Sequence, residues 1–595
     1  MSVSLCMIVK NEEENLARCL NSVKDLIDEI ILVDTGSTDR TLSIAQRYGA
    51  KIYRRAWNDS FSEARNYSLS QADGTWILVM DADDELEPAD RGALAELFQK
   101  ENSPSDVYGC KTLCYSGEQA DCCNLLVTTT VRLIRNGRGY FYRGRVHEQL
   151  EGPGGPPRIS ATDIHFYHYG YLSAQIKKKE KHRRNLALIR MELKDHPRNG
   201  FMLFNLGNEF LALGKAEDAL NCYRASYRAL EPTEGYGSML LTRMILCCDQ
   251  LHLGKEMHLC LCEGLRLYPD LPDFEYLKGC ALQRSGKLLS AIRAYRNCIR
   301  MGPPPDGNSL YGVSTFKAHD RLAVLYARLG EWKLALRHCR KAIRFNPCDR
   351  EAAALMADLL KAEGHTPEQI KTHLLRLVPK DACHLLMLSD LFYDRDMFRQ
   401  AMQMAIRAQK QVPGCPAACR DEGICRFFLG QYRRAFRCLL QDPCGGNFTS
   451  RTRFFRFLCV LLDPAAPPRM EKCRAGLEEP DYSVAAAFRA LLRGEPCASL
   501  SSDRSQSQGY ADAIFGLLEI LLRAELLEEF IKALPLLNLI RYDDAPLRLG
   551  KLYHKYGYEK LACHELMLSL RTTGKIDAQG FALLSRFAAT AAKSK

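Results

Sequence analysis

The sequence predicts an α/β domain followed by an all-α helical solenoid, and three observations predict it. Over the first 170 or so residues, short apolar runs alternate with stretches of helical spacing. One of those runs, Trp76-Ile77-Leu78-Val79-Met80, passes directly into Asp81-Ala82-Asp83-Asp84-Glu85. A run of that length ended by polar residues reads as a strand buried on both faces. From about residue 171 the strand signals stop, and prolines and alanines recur at intervals of 34 residues.

Taken in order, Ser4–Val9 is an apolar strand. Asn11–Val23 has helical spacing, with Leu16, Cys19, Leu20 and Val23 on one face. Asn11 is placed to cap that helix, and the acids at 12, 13 and 14 suit a helix N-terminus. Glu29–Val33 is a second strand, ending in Asp34-Thr35-Gly36-Ser37-Thr38-Asp39. Thr41–Tyr48 is a helix with Asp39 as its N-cap, and Lys51–Arg54 is a short third strand. Phe61–Gln71 is helical and leads through Asp73-Gly74 into the acid-ended strand. This βαβαβαβ order predicts a mostly parallel sheet with helices on both faces. After Asp84, Lys111–Tyr115, Thr128–Ile134, Tyr140–Tyr142 and Thr162–Tyr169 read as strands of a more antiparallel finishing section.

In the helical part, Pro269 and Pro303, Pro379 and Pro413, and Ala401 and Ala435 are each 34 apart. Small residues follow turns in LGKAEDAL, SGKLLSAI, LGEWKLAL and LGQYRRAF. This is the tetratricopeptide period, one helical hairpin per repeat. Small residues let paired helices approach, and prolines end the second helix. Pro303 to Pro347 is 44, and the loop GPPPDGNSLYG absorbs the excess. Self-similarity suggests about six repeats over 200–445. Beyond 450 the chain stays helical but loses the period, and residues 494–509 read as a flexible linker. The expected boundaries are therefore 1–170 for the α/β domain, 171–199 for a basic linker helix, 200–445 for the repeats and 446–595 for a C-terminal helical region.

Composition narrows the function classes. Of 595 residues, 47% are apolar and 26% charged, an ordinary soluble balance. The net charge of +11 is uneven: residues 1–170 carry −7 and the remainder +18. No nucleic-acid-binding signature accompanies the basic part. The opening MSVSLCMIVKNEEE lacks the basic start of a signal peptide, and no stretch offers about 18 uncharged apolar residues. A cytoplasmic location with no transmembrane segment is expected. The 25 cysteines are scattered through helical patterns and read as reduced core residues, including Cys298, Cys339 and Cys438 in small-residue positions. Cys415, Cys419 and Cys425 do not have a standard zinc spacing.

The acid cluster carries the chemistry. In open α/β sheets ligands bind beyond the carboxyl ends of the strands. Asp-x-Asp offers oxygen ligands suited to Mg²⁺ or Mn²⁺ carrying a diphosphate, and a divalent metal would offset the cost of clustered acids. Three further blocks stand upstream in sheet order: LCMIVKNEEENLARCLNSV, ILVDTGSTDRT and EARNYSLSQADG. Together with TWILVMDADDEL they resemble family 2 glycosyltransferases of the GT-A (Rossmann-like nucleotide-diphospho-sugar transferase) fold over roughly the first 150 residues. With the helical tail, the chain is similar to the bacterial branch that carries tetratricopeptide repeats, which includes sublancin-type S-glycosyltransferases.

That resemblance implies site roles. Asp83, the second acid of the D-x-D, would be the direct metal ligand. Asp81 would meet ribose or a metal-bound water, and Asp84 would stand behind them. Asp34 would accept hydrogen bonds from a uracil or ribose edge, Glu12 would help hold the nucleoside, and Arg65 would neutralise the diphosphate. An inverting transferase also needs a base to deprotonate the acceptor, and Glu148 in GRVHEQLEG is the candidate, although the commoner Glu-Asp block is absent. His147 either positions that carboxylate or is structural. In IHFYHYGYL, His168 rather than His165 is the candidate to complete the metal site, or else it is a structural strand histidine. The run KKKEKHRR at 177–184 reads as a grip for an anionic acceptor or as the solvated face of a linking helix.

The expected function is metal-dependent inverting transfer of a sugar from a nucleotide sugar, with UDP as its nucleotide, to a peptide or protein acceptor selected by the repeats. The alternatives are a cell-envelope polysaccharide or glycolipid acceptor, and a non-catalytic tetratricopeptide adaptor with a degenerate transferase domain. A homodimer through the helical tail is left open.

Overall fold

The computed structural model describes residues 1–99, 105–117, 125–172, 181–230, 235–304, 309–440, 450–463, 477, 479–497, 500 and 504–593. Residues 177–180 of the basic run, and parts of the expected linker at 494–509, lie outside them. Two compact units, Met1–Met356 and Ala357–Lys595, meet inside the helix Arg350–Ala362.

The first unit opens with an eight-stranded sheet. Its strands are β1 (Val3–Val9), β2 (Glu29–Asp34), β3 (Lys51–Arg54), β4 (Trp76–Val79), β5 (Asp84–Leu86), β6 (Val107–Gly117), β7 (Leu125–Arg135) and β10 (Ser160–Leu172), in the order β3-β2-β1-β4-β7-β6-β10-β5. A separate two-stranded ribbon pairs β8 (Phe141–Arg143) with β9 (Gln149–Glu151). β4 is buried along its length because successive side chains enter two different cores. Trp76 and Leu78 pack with Leu5, Met7 and the helix α1 (Leu16–Val23) on one face, whereas Ile77 and Val79 pack with Cys6, Ile31 and Leu69 on the other. The remaining helices of this domain are α2 (Thr41–Arg47), α3 (Phe61–Ser70) and α4 (Arg91–Gln99). Gly74 is required where β4 enters the sheet: a Cβ there would lie 2.6 Å from Ser4 Oγ, to which the Gly74 N–H donates at 2.7 Å.

The structure differs from the sequence reading in three places. α1 begins at Leu16, not at Asn11. Asn11 takes a left-handed conformation (φ 56°) and its Oδ1 accepts from the Thr38 N–H at 2.8 Å, so residues 11–15 form a turn tied to the β2–α2 loop. The first strands are parallel as expected (β1 with β2 and β4, β2 with β3) and β7 runs antiparallel to β4 and β6, and β5 to β10, but within the finishing section β6 pairs parallel with β10. The strand β5 is three residues long and sits inside the acid cluster, so no apolar run announces it.

After β10 the described chain is helical. Seven helix pairs succeed one another between 200 and 440, one more than the period suggests. The additional pair is Arg350–Ala362 with Pro367–Leu375; its turn at Gly364 is followed by a Thr366–Gln369 capping box and Ile370 rather than by the expected alanine. Elsewhere one turn recurs, except at the left-handed His252, which is followed five positions later by Met257. A left-handed residue, Gly214, Gly286, Gly330, Asp396, Gly430 or Gly557, is followed five positions later by a fully buried alanine: Ala219, Ala291, Ala335, Ala401, Ala435 or Ala562. A second spacing locks the pairs. Gly207, Gly279, Gly423 and Gly550 face Tyr223, Tyr295, Leu439 and Leu566, each 16 residues on, and a Cβ on the glycine would come within 2.4 to 2.8 Å of that side chain. Repeat geometry therefore returns at Ala545–Lys555 and Glu559–Thr573, where the sequence period had faded. Of the cysteines in small-residue positions, Cys298 and Cys339 are buried and Cys438 is half-buried, and burial pushes the Cys298 and Cys339 thiols up to about 12.

One repeat of the first unit buries ionisable groups. On Ala318–Arg328 and Trp332–Phe345, His319 Nδ1 lies 2.9 Å from His338 Nδ1, so one ring donates and the other accepts. Burial pushes both imidazoles down to about 4. Beside them Asp320 has an oxygen, Oδ1, with no hydrogen-bond partner, and burial, reinforced by Asp349, pushes its carboxyl up to about 7 against the pull of Arg321. The histidine pair has a depressed folded pKa, so its contribution is intact above about 6.5 and is lost as pH falls toward 4. Asp320 has a raised folded pKa and works oppositely: stability is present near pH 4 and lost as pH rises through 7. Asp320→Asn should therefore gain on the wild type, by roughly 1–3 kcal/mol between pH 4 and pH 8, in urea unfolding of the full chain. A stability difference independent of pH would contradict this reading.

Candidate active site

Asp84 and Arg132 form a buried ion pair at the carboxyl end of β4. Asp84 is 0% and Arg132 4% exposed, and Arg132 Nη1 donates to Asp84 Oδ2 at 2.5 Å. Arg132 comes from β7, the antiparallel neighbour of β4, and its Nη1 and Nη2 also reach Val79 O at 3.4 Å and Thr112 Oγ1 at 3.3 Å. Burial opposes the charge of Arg132, but Asp84 and then Asp81 hold its pKa above the ordinary arginine value. Asp84 is fully engaged: Oδ2 also accepts the Asp81 N–H at 2.8 Å, and Oδ1 meets His168 Nδ1 at 2.9 Å. The antiparallel pairing of β5 with β10 sets His168 opposite Asp84, and the Tyr169 N–H donates to Asp83 O at 3.0 Å just beyond it.

His168 Nδ1 also lies 3.5 Å from Asp83 Oδ1. A Cβ built on Gly170 would lie 2.6 Å from His168 Nε2 and 2.7 Å from Asp83 Oδ2. The glycine is therefore flanked closely by an imidazole nitrogen and a carboxylate oxygen, and a side chain there would crowd both. Among the described residues, Asp83, Asp84 and His168 are the group whose ligand atoms all lie within 4.8 Å of one another. Because Asp84 is committed to Arg132 and to the histidine, the donor set that fits a divalent cation is Asp83 with His168, and Asp84 orients the ring. Burial would push the His168 imidazole down, but the hydrogen bond to Asp84 and the fields of Asp83, Asp84 and Asp81 raise it overall.

Asp81 leads to the other side of the site. Arg65, on α3, donates from Nη2 to Asp81 Oδ1 at 3.3 Å and from Nε to Glu148 Oε1 at 2.9 Å. A single guanidinium thus joins the first acid of the D-x-D to the candidate base. Burial opposes the charge of Asp81, but Arg65, then Arg132 and His168, hold its carboxyl below the usual carboxylate range. Glu148 precedes β9, is mostly buried, and has no partner on Oε2 among the described residues. His147 is left-handed (φ 53°), and its Nε2 is buried without a hydrogen-bond partner. Burial pushes its imidazole down, opposed by Glu209 and Glu148.

The neighbouring strands bring the nucleoside-side residues alongside. Asp34 ends β2 and Glu12 follows β1, the strand between β2 and β4. Asp34 Oδ1 accepts the Ser37 N–H at 3.0 Å, which makes the turn, while Oδ2 has no partner among the described residues. The Glu12 N–H donates to Thr41 Oγ1 at 2.7 Å, and its carboxylate accepts from Asn15 Nδ2 at 3.1 Å. Asp39 accepts the Thr41 N–H at 2.9 Å and the Glu13 N–H at 3.1 Å, so it caps α2 from one residue before the N-cap and staples the two loops together.

All of the expected site residues thus fall at one end of the sheet. Asp83 meets His168, and Arg65 meets Asp81 and Glu148 instead of standing open to a phosphate. His165 is elsewhere, with its Nδ1 2.8 Å from Asp90 Oδ2. Sequence reasoning missed Arg132. Its signal was a charged residue set among apolar ones in VRLI of an otherwise apolar strand.

Residues 4–121 match the family described as Glycosyl transferase family 2, so the N-terminal domain is a family 2 glycosyltransferase domain. A tetratricopeptide-repeat-containing protein of Synechococcus elongatus is 32% identical over 253 residues, 41% of this chain and 61% of that one. The SPbeta prophage-derived glycosyltransferase SunS of Bacillus subtilis is 29% identical over 279 residues, 46% of this chain and 63% of that one. The chain thus spans about three-fifths of the length of these relatives. Among solved structures, S. aureus TarS 1–349 in complex with UDP-GlcNAc is 16% identical with a TM-score of 0.27, covering 44% of this chain and 90% of that one. No helix among the described residues is long and apolar enough to cross a membrane.

If the buried pair supports the site, removing one member should leave an uncompensated charge. Arg132→Met should cost about 3–5 kcal/mol in unfolding free energy. Arg65→Met, whose partners are more exposed, should cost less in the same urea titration. Equal losses would argue against a central role for Arg132.

Proposed function

We propose that this chain, a family 2 glycosyltransferase domain joined to tetratricopeptide-type helices, moves a sugar with inversion from a nucleotide sugar to a peptide or protein side chain. The observation that carries the reading is the pairing of Asp83 and His168 across Gly170 at the carboxyl edge of β4. A carboxylate with an imidazole suits Mn²⁺ somewhat better than Mg²⁺, which prefers oxygen ligands alone. When bound there, the cation would offset the charge that develops on the leaving nucleoside diphosphate.

The protein's own residues do the remaining work. Asp34, with one oxygen uncommitted, receives donors from the uracil or ribose of a UDP-linked donor, and Glu12 helps hold the nucleoside from the neighbouring loop. Asp81 is kept ionised on the donor side by Arg65. Arg65, expected on the diphosphate, holds Asp81 and Glu148 in a common frame, so donor and base keep one geometry. Glu148 is assigned as general base: its uncommitted Oε2 takes the acceptor proton as the nucleophile attacks the anomeric carbon opposite the diphosphate. A thiol acceptor would need less of this help than a hydroxyl, because it loses its proton more readily. The repeat helices supply the extended surface on which a peptide acceptor would be selected.

Incubation of the full chain with Mn²⁺ and a panel of UDP-sugars should release UDP from one of them. Asp83→Ala should lower that release at least 100-fold, and an unchanged rate would remove the metal assignment. Gly170→Ala should weaken Mn²⁺ binding, read directly by calorimetry, at least 10-fold with a small change in thermal midpoint, because the new Cβ occupies the space between Asp83 and His168. Retention of wild-type Mn²⁺ affinity in that variant would place the cation elsewhere.

A further inference from the structure

A cation beside this site has no ionic partner. The helix α5 (Lys181–Asp195) follows the sheet and is seated by Leu188 and Ile189 against Val146, Trp57 and Phe61. Its first turn includes the end of the basic run, and the two arginines there diverge. Arg183 is exposed, as a solvated helix face requires, whereas Arg184 turns inward. The Arg184 guanidinium lies 4.9 Å from the centroid of the Phe61 ring. Its Nε is buried with no hydrogen-bond partner, its Nη2 makes one long contact of 3.4 Å to Asn185 Oδ1, and no carboxylate pairs with it among the described residues.

The surroundings locate it. Phe61 is one helical turn before Arg65 on α3, so the two side chains share a face, and Arg65 is the residue that grips Asp81 and Glu148. The Phe61 N–H donates to Arg145 O at 2.8 Å, which ties this turn to the loop carrying Glu148. Burial pulls the Arg184 pKa down, and the fields acting against it come from Glu209, Asp83, Glu12 and Glu148. Three of these are the acids assigned to the donor and base. Glu209 is itself occupied, accepting from Asn185 Nδ2 at 2.8 Å and paired with His182 Nδ1 at 2.6 Å.

A half-buried guanidinium with an orphaned donor is costly unless a ligand completes it. An array of acids would satisfy it by direct pairing, yet the nearby carboxylates are engaged with Arg65, Asn15 and His182. The ligand it lacks is anionic, planar-acceptor chemistry of the kind a guanidinium binds through two parallel hydrogen bonds. Arg65 cannot serve an incoming phosphate without releasing Asp81 or Glu148.

We propose that Arg184 is the residue of this chain that binds the terminal phosphate of the nucleoside diphosphate, Arg65 being committed to the acids. This rests on the transferase reading above and adds to it a donor-binding residue from outside the sheet. It also gives α5 a part in the site: the helix that leads into the repeats would register whether the diphosphate is present.

The test compares affinities of the full chain for UDP and UMP in the presence of Mn²⁺, by calorimetric titration, in the wild type and in Arg184→Gln and Arg184→Lys. UDP carries the terminal phosphate and UMP does not, so the ratio of the two affinities isolates the contact from any general loss of folding. The ratio should fall about 10-fold or more in Arg184→Gln, with partial recovery in Arg184→Lys, while UMP affinity stays within about twofold. An unchanged ratio in Arg184→Gln overturns the proposal and leaves the transferase reading standing. Failure of the wild type to bind either nucleotide overturns both. A loss of affinity equal for UDP and UMP assigns Arg184 to folding of the site and also overturns the proposal.

Discussion

The site depends on the ion pair between Arg132 and Asp84. An acid at 0% exposure beside Asp81 and Asp83 would be forced out or neutralised without a cation in contact. Arg132 supplies that cation from the adjacent antiparallel strand and is anchored by Val79 O and Thr112 Oγ1. Held by Arg132, Asp84 orients His168 with its other oxygen, and its Oδ2 fixes the Asp81 amide. The imidazole then lies beside Asp83, and both close on Gly170, where a side chain would crowd them. Each link relies on the one before it, so an arrangement spread over five strands and a loop behaves as one element.

The second arginine works differently. Arg65 is mostly buried, with partners on both sides of the site, and it converts two separate carboxylates into a fixed pair. Arg132 makes burial of charge tolerable, and Arg65 sets geometry. Arg184 has the chemistry of both but neither arrangement, which is why it stands out against them. Two arginines within residues 1–170, whose net charge is −7, and a third on the helix that follows fit a site built to hold acids apart and receive an anion.

The helical part follows a simpler constraint. Each hairpin needs one left-handed residue at its turn and one small residue where the helices cross. Glycine and alanine meet those needs most cheaply, so the period is readable wherever they are used. Asp396 takes the left-handed position in one hairpin, and Ile370 stands near the alanine position in another. Such replacements hid one pair within the array and obscured the return of the same geometry at Gly550 and Leu566.

Strand order over the first 80 residues, the acid-ended β4 and the repeats were legible in the sequence, because local periodicity and turn chemistry are written in neighbouring residues. Even there the start of α1 was misplaced, since Asn11 answers to Thr38, 27 residues away, rather than to its own helix. Only the tertiary structure decided the rest. That β6 and β10 run parallel, that Arg132 faces Asp84, that His168 lies across Gly170 from Asp83, and that Arg65 is already paired are all consequences of strand register and of contacts 16 to 84 residues apart. Periodicity reports which face a residue occupies. It does not report which charge from another strand will meet it there, and in this protein the chemistry depends on that meeting.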